Sequence, residues 1–330
     1  MRRLLAVVLL LAPFGIGLLT PGAAVEPVPG EPVFRFTDPR ITESSGLVAR
    51  DGLVVTVNDS GDANRVFTVD PATGDTVGVT RWQGQARDIE ALAPAGDGEV
   101  WVGDIGDNAA ARDHVVVARV PFGRGDREVT APTYDLVYPD GPHDAETLLA
   151  DPATGRLYVV AKEFIGRLYA APERLDPDGP NELSVVDEVL GVATDGAFLP
   201  DGERLVLRNY GQAAVYTWPG LDRVAQVDLP RQQQGEGIAV AEDGTVLISS
   251  EGEGSEVLRV ELPVDELPAG ESPTASPTAS PTASPAPSAG DDDRSPVHLD
   301  DERSLWPWAI GGVAGVVIVV VLLRSLRPRD

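Results

Sequence analysis

Residues 144–160 read Asp-Ala-Glu-Thr-Leu-Leu-Ala-Asp-Pro-Ala-Thr-Gly-Arg-Leu-Tyr-Val-Val. An acidic start leads into a short apolar run, a turn, and a second run rich in β-branched and aromatic residues. Asp151-Pro-Ala-Thr-Gly155 has turn chemistry: proline presets φ, the aspartate side chain can bond the backbone just ahead, and glycine accepts a positive φ. Leu157-Tyr-Val-Val160 favours an extended strand. The segment is a β-hairpin, and its layout recurs.

Four further copies follow the same order of acid or polar start, apolar strand, glycine-containing turn and apolar strand. They open at Glu43-Ser-Ser-Gly-Leu47, Asp88-Ile-Glu-Ala-Leu92, Thr194-Asp-Gly-Ala-Phe198 and Gly235-Glu-Gly-Ile-Ala239. Their starts lie 41 to 56 residues apart, the length of a four-stranded propeller blade. Third and fourth strands fit between the copies, except after the fifth, where a proline-rich segment begins. Val33-Phe-Arg-Phe36, ahead of the first copy, is left to supply the missing edge strand and close the ring. The fold expected is therefore all-β, a five-bladed β-propeller. A sixth blade within Arg112–Tyr138 is the alternative. An open two-sheet sandwich would not account for the repeat.

Aligning the copies on their small-plus-apolar pairs produces two polar columns. The inner one reads Ser45, Glu90, Glu146, Gly196, Glu236, and the outer one, two residues earlier, Glu43, Asp88, Asp144, Thr194, Gln234. Side chains two apart on a strand share a face, so both columns point into one funnel. The ends of the second strands reach the same mouth, because the two strands are antiparallel. They bring Asn58 and Asp59, Asp104, Asp107 and Asn108, Lys162, Arg208 and Tyr210, and Glu251. Carboxylates gathered this closely raise one another's pKa unless a cation compensates, and an all-oxygen donor set suits Ca²⁺ better than Zn²⁺. Glu43, Asp88, Glu90, Asp144, Glu146 and Glu236 are the expected metal ligands, and the second-strand residues the expected ligand-binding set. The competing reading of the same residues is structural, since Asp and Asn at strand ends commonly bond turn backbone.

The two ends of the chain have other signatures. Residues 1–24 carry Arg2 and Arg3, an apolar run and Gly22-Ala23-Ala24, the three regions of a cleaved secretory signal. The propeller is expected over 31–268. Residues 269–304 repeat Ser-Pro-Thr-Ala, a composition that cannot build a core and predicts a disordered, extended stalk. Residues 305–323 are uncharged, begin with Trp306 and Trp308, and precede Arg324, Arg327 and Arg329 in the short tail 324–330. That is the pattern of one membrane-spanning helix with an aromatic belt and a positive cytoplasmic flank. The expected location is the cell membrane, single-pass, with the N-terminal domain outside. Membrane attachment is through the C-terminal helix.

Composition narrows the function. The chain has no cysteine, so it has neither disulfides nor thiolate metal sites. Its formal charge of −26 repels nucleic acid and anionic headgroups. No Gly-x-Ser-x-Gly elbow, phosphate-binding loop or histidine metal motif is present. What remains is an extracytoplasmic module that binds a cell-envelope or extracellular ligand, with a divalent cation at an acidic mouth. A metal-dependent hydrolase of phosphoesters or glycans is the alternative.

Glu43-Ser-Ser-Gly-Leu47, Asn58-Asp-Ser-Gly-Asp62, Gly103-Asp-Ile-Gly-Asp-Asn108, Asp144-Ala-Glu146 and Gly235-Glu-Gly-Ile238 together resemble a family of secreted actinobacterial β-propeller proteins. They are more distantly similar to esterase-like phytase-type propellers. The resemblance runs over about residues 33 to 262. The phytase likeness implies calcium-dependent phosphoester hydrolysis at the acidic mouth. The chain departs from it in having only Lys162 and Arg208 there, where a polyphosphorylated substrate needs a cluster of bases.

Overall fold

The computed structural model describes residues 26–263 except Ser60 and Asp97. The expected signal sequence, stalk, membrane-spanning helix and tail lie outside the described residues. Among those described, no helix is long and apolar enough to cross a membrane.

Five sheets, each antiparallel over its four blade strands, stand around a central axis, and their inner strands follow one another in chain order: Ser44–Arg50, Ile89–Pro94, Ala145–Ala150, Asp195–Phe198 and Gly235–Val240. Each inner strand neighbours the next, and the fifth neighbours the first, so the ring is closed. The architecture is the five-bladed propeller that the repeat predicts. Blade 5 is completed by the N-terminal strand Gly30–Arg35, paired antiparallel with Glu256–Val260. The open ring is thus fastened by the strand that precedes the first repeat, as expected for Val33–Phe36.

The six-bladed alternative is excluded by what Arg112–Tyr138 does. Val115–Pro121 and Thr133–Val137 are the third and fourth strands of blade 2. Between them Arg127–Val129 crosses to pair, in parallel, with the outer strand Thr76–Trp82 of blade 1. The extra length builds an edge cover rather than a blade.

The core lies between blades. Five buried apolar clusters each take side chains from two neighbouring blades, such as Val117, Leu136, Leu148 and Tyr169 between blades 2 and 3. This follows from strand alternation: each interior sheet is covered on both faces, so its strands read as nearly continuous apolar runs. The Asp-Pro-Ala-Thr-Gly turns behave as the sequence demands. In both, the Asp carboxylate accepts from the amide two residues on (Ala72 at 3.1 Å, Ala153 at 2.8 Å). Gly74 and Gly155 adopt φ of 78° and 72° and return their N–H to the same aspartate's carbonyl.

Candidate functional site

The inner strands of blades 1, 2, 3 and 5 enter the channel through a register shift, between Ser44 and Leu47, Ile89 and Ala91, Ala145 and Thr147, and Gly235 and Ile238. A bulged residue leaves the ladder and re-aims its side chain. Ser45, Glu90, Glu146 and Glu236 occupy these shifts, which is why the inner column converges. Blade 4 has no shift: Asp195 pairs with Arg208 and Gly196 with Leu207. The expected alignment on Gly196 is therefore one residue out of step, and Asp195 occupies the channel in its place. One missing bulge residue turns the strand, and the small-plus-apolar pair carries no signal of that.

Asp195 is fully buried, and its Oδ2 accepts from the amides of Ile238 at 2.8 Å and Leu47 at 3.3 Å. Its Oδ1 accepts from Gly196 at 2.8 Å. Inner strands are sheet edges with unpaired amides, and Asp195 satisfies those of blades 5 and 1 from blade 4. Burial pushes its carboxyl well above the ordinary value, and the three backbone donors act in the opposite direction. Arg208 is also fully buried. It donates through Nη1 to the carbonyls of Gly237 (3.1 Å) and Ser249 (3.3 Å), while burial lowers its pKa to about 10.

Several expected ligand-binding residues are engaged by the loops they begin. Asn58 Oδ1 accepts from the amides of Thr42 and Glu43, and Asp104 from those of Arg87 and Asp88. Ser250 does the same for Gln234 in blade 5. Three blades thus repeat one device: the polar residue ending the second strand fixes the entry to the inner strand. Asp104 also holds the buried Arg112 at 2.7 Å, a base that sequence reasoning passed over. Asp107 accepts from the amides of Ala111 and Arg112 and donates its own amide to Asp144 at 2.8 Å. Asn108 is exposed.

The six expected metal ligands do not form one ring. Asp88 and Glu90 join Asp59, placed with the ligand-binding set by the sequence, and one carboxylate oxygen from each lies within 4.8 Å of the others. Glu90 is 2 % exposed and bonded to Asp59. Burial, then the Asp59 and Glu146 charges, push it up to about 11. Burial and the charges of Asp59 and Asp144 push Asp88 up to about 6. Gly106 lets the cluster close: a Cβ there would stand 2.5 Å from the Asp88 carboxylate and 2.9 Å from Glu90 Cγ.

Across the mouth, Glu146 is paired with Lys162, whose ammonium lies 5.3 Å from the Tyr210 ring centroid. Burial alone would lower the Lys162 pKa, but Glu146 and Tyr210 hold it above its ordinary value. Gln234 Nε2 donates to Glu236 at 3.0 Å and to Glu251 at 2.6 Å. Burial raises both acids, Glu251 to about 7. Glu43 is exposed and meets Glu251 through a backbone bridge. Three carboxylate oxygens, Asp88 Oδ1, Glu146 Oε2 and Glu236 Oε2, are buried with no hydrogen-bond partner. Such atoms are costly to bury unless a ligand, ion or water meets them.

The opposite end of the channel is a cavity of about 620 Å³ with contributions from all five blades, among them Leu47, Leu92, Leu148 and Phe198. Its lining includes Asp51, Asp151 and Glu242, but among the described residues only Asp59, Asp88 and Glu90 bring three acidic oxygens within reach of one ion. No protein-family model matches the chain, and no curated protein matches it either.

Proposed function

We propose that the chain is an extracytoplasmic, membrane-tethered binding module that holds one divalent cation, Ca²⁺, at Asp59, Asp88 and Glu90 and uses the acidic mouth around it to bind its ligand. One observation carries this reading: three carboxylates converge, and one of their oxygens, Asp88 Oδ1, is buried with no hydrogen-bond partner. An all-oxygen, anionic donor set fits Ca²⁺, which takes six to eight oxygens in variable geometry. Asp59, Asp88 and Glu90 would hold the ion, and the ion would supply positive charge for a ligand's oxygens. Without it, Glu90 keeps a proton and bonds Asp59, the simplest substitute for the missing charge. Glu256–Val260 runs away from the acidic mouth, with Val260 opposite Val246 at the other end of blade 5.

Calorimetric titration of the full-length chain with CaCl₂ at pH 8 should show one saturable site. Asp88→Asn and Glu90→Gln should each weaken it at least about tenfold, since charge count sets affinity in such sites. Asp70→Asn, which removes a carboxylate paired with Arg124 away from the mouth, should leave it unchanged. Equal affinity in all four proteins would end the reading.

A further inference from the structure

Four of the five outer blade edges are covered or carry a proline among the described residues. Arg127–Val129 runs parallel to blade 1, with Gly125 N–H bonding Val77 O at 2.8 Å just before it. Asn181–Glu182 runs parallel to Leu136 and Val137 of blade 2. In blade 4, Val28 N–H reaches Asp228 O at 2.9 Å. The outer strand of blade 5 carries Pro32, which has no amide hydrogen to offer, and a register shift beside it. Among the described residues, blade 3 has neither a covering segment nor a proline: its outer strand Ser184–Val189 ends the sheet, and every residue from Ser184 to Glu188 is exposed. Its only blunting features are a bulge at Val186 and the Glu188 amide, which bonds Asp187 Oδ1 at 2.8 Å.

Connection lengths account for the difference. The covers of blades 1 and 2 come from the third-to-fourth connections of the blades after them, residues 122–132 and 171–183. In blade 4 that connection is only residues 218–222, too short to reach back over blade 3. The bare edge is also apolar. Of the six large hydrophobic side chains exposed among the described residues, Phe164, Ile165, Val185 and Val186 belong to blade 3. Phe164, 93 % exposed, tips the loop before Gly166, which pairs with Val189 at the C-terminal end of the edge. Val192 N–H bonds Glu163 O at 2.7 Å, so the loop base is fixed to the chain behind it. An exposed aromatic on a fixed support is how an interface anchor is presented.

The edge bears Asp187 and Glu188, and the whole chain has a formal charge of −26. Like charges disfavour pairing with a second copy and favour a strand of opposite sign. We propose that the outer edge of blade 3 docks a basic, extended segment of a partner polypeptide. The segment adds as a fifth strand parallel to Ser184–Val189, as the covers of blades 1 and 2 do, and its C-terminal apolar side chain lies against Phe164 and Ile165. Backbone hydrogen bonds supply affinity, and the alternate basic and apolar side chains supply specificity. The proposal does not depend on the cation site.

The probe is a fluorescein-labelled peptide, Lys-Val-Lys-Val-Lys-Val-Phe, titrated with the full-length chain. Binding should be saturable and weakened at least about tenfold when alternate peptide nitrogens are methylated, because the strand loses its donors. D187K/E188K should lose the lysine peptide by a similar factor and gain the matching glutamate peptide, a swap that misfolding cannot mimic. Phe164→Ser should weaken binding without reversing the charge preference. Unchanged affinity of the methylated peptide, or of D187K/E188K for the lysine peptide, would overturn the proposal. So would micromolar self-association abolished by D187K/E188K, which would mean that a second copy closes the edge. Phe164-dependent binding to phosphatidylcholine vesicles in place of peptide would overturn it as well.

Discussion

Asp195→Ala is expected to destabilise the propeller by about 3–5 kcal/mol, the upper end for a single substitution. The change strips the acceptor from three amides, of Leu47, Gly196 and Ile238, that have been drawn out of water. Each buried donor left unpaired costs about 1–3 kcal/mol. Those amides belong to the inner strands of blades 1, 4 and 5, so the loss falls where these blades meet at the axis. Asp195→Asn should recover little. Both carboxylate oxygens accept, and an amide would turn an NH₂ toward at least one donor. Urea unfolding followed by tryptophan fluorescence measures the difference. A loss within about 0.5 kcal/mol, the ordinary surface value, would mean that the cross-channel bonds do not hold the ring together.

The second large effect is the linkage between pH and Ca²⁺. In the metal-free chain Asp88, Glu251 and Glu90 are raised to about 6, 7 and 11, against ordinary carboxyl values near 4. A group raised in the folded state binds more protons folded than unfolded. Its contribution is complete below the unfolded value and is lost as pH climbs through the folded one. The metal-free melting temperature should therefore fall from about pH 4 through pH 7, with Glu90 extending the decline. Ca²⁺ acts in the opposite sense. It binds the ionised carboxylates, so binding releases protons and its stabilisation grows with pH. At a free concentration a hundredfold above Kd the gain is about 2.7 kcal/mol, or about 5–10 °C in a domain of this size. Thermal scans at pH 5 and pH 8, with and without Ca²⁺, should show a small shift at pH 5 and a larger one at pH 8, still short of its limit while Glu90 holds a proton. Equal shifts at both, or a metal-free stability that rises across this window, would contradict the arrangement.

The repeat made the ring legible because each blade needs the same hairpin, and apolar runs separated by Asp-Gly and Asp-Pro-Ala-Thr-Gly turns declare it. The closing strand was legible too, since Val33–Phe36 had no other partner to take. What the sequence left open depended on register. Glu90, Glu146 and Glu236 converge through bulges, and bulges leave no residue signature beyond a nearby small side chain. Blade 4 lacks one, so Asp195 and not Gly196 reaches the axis. Asn58, Asp104 and Asp107 carry the right chemistry for a ligand, but nearby amides in their own loops are closer at hand. Asp59 could not be separated from its neighbours by spacing. It joins Asp88 and Glu90 because blades 1 and 2 meet there. The bare edge of blade 3 followed from the shortness of residues 218–222, which matters only once the covers of blades 1 and 2 are seen.

Crystals of the full-length chain grown with Ca²⁺ and measured at a long X-ray wavelength would locate the ion. One strong anomalous peak is expected at the mouth, ligated by Asp59, Asp88 and Glu90 at about 2.3–2.6 Å and absent from Asp88→Asn crystals grown in the same way. Ordered density for the three carboxylates with no peak between them, at Ca²⁺ concentrations that fill other acidic sites in the lattice, would contradict the proposed Ca²⁺ site.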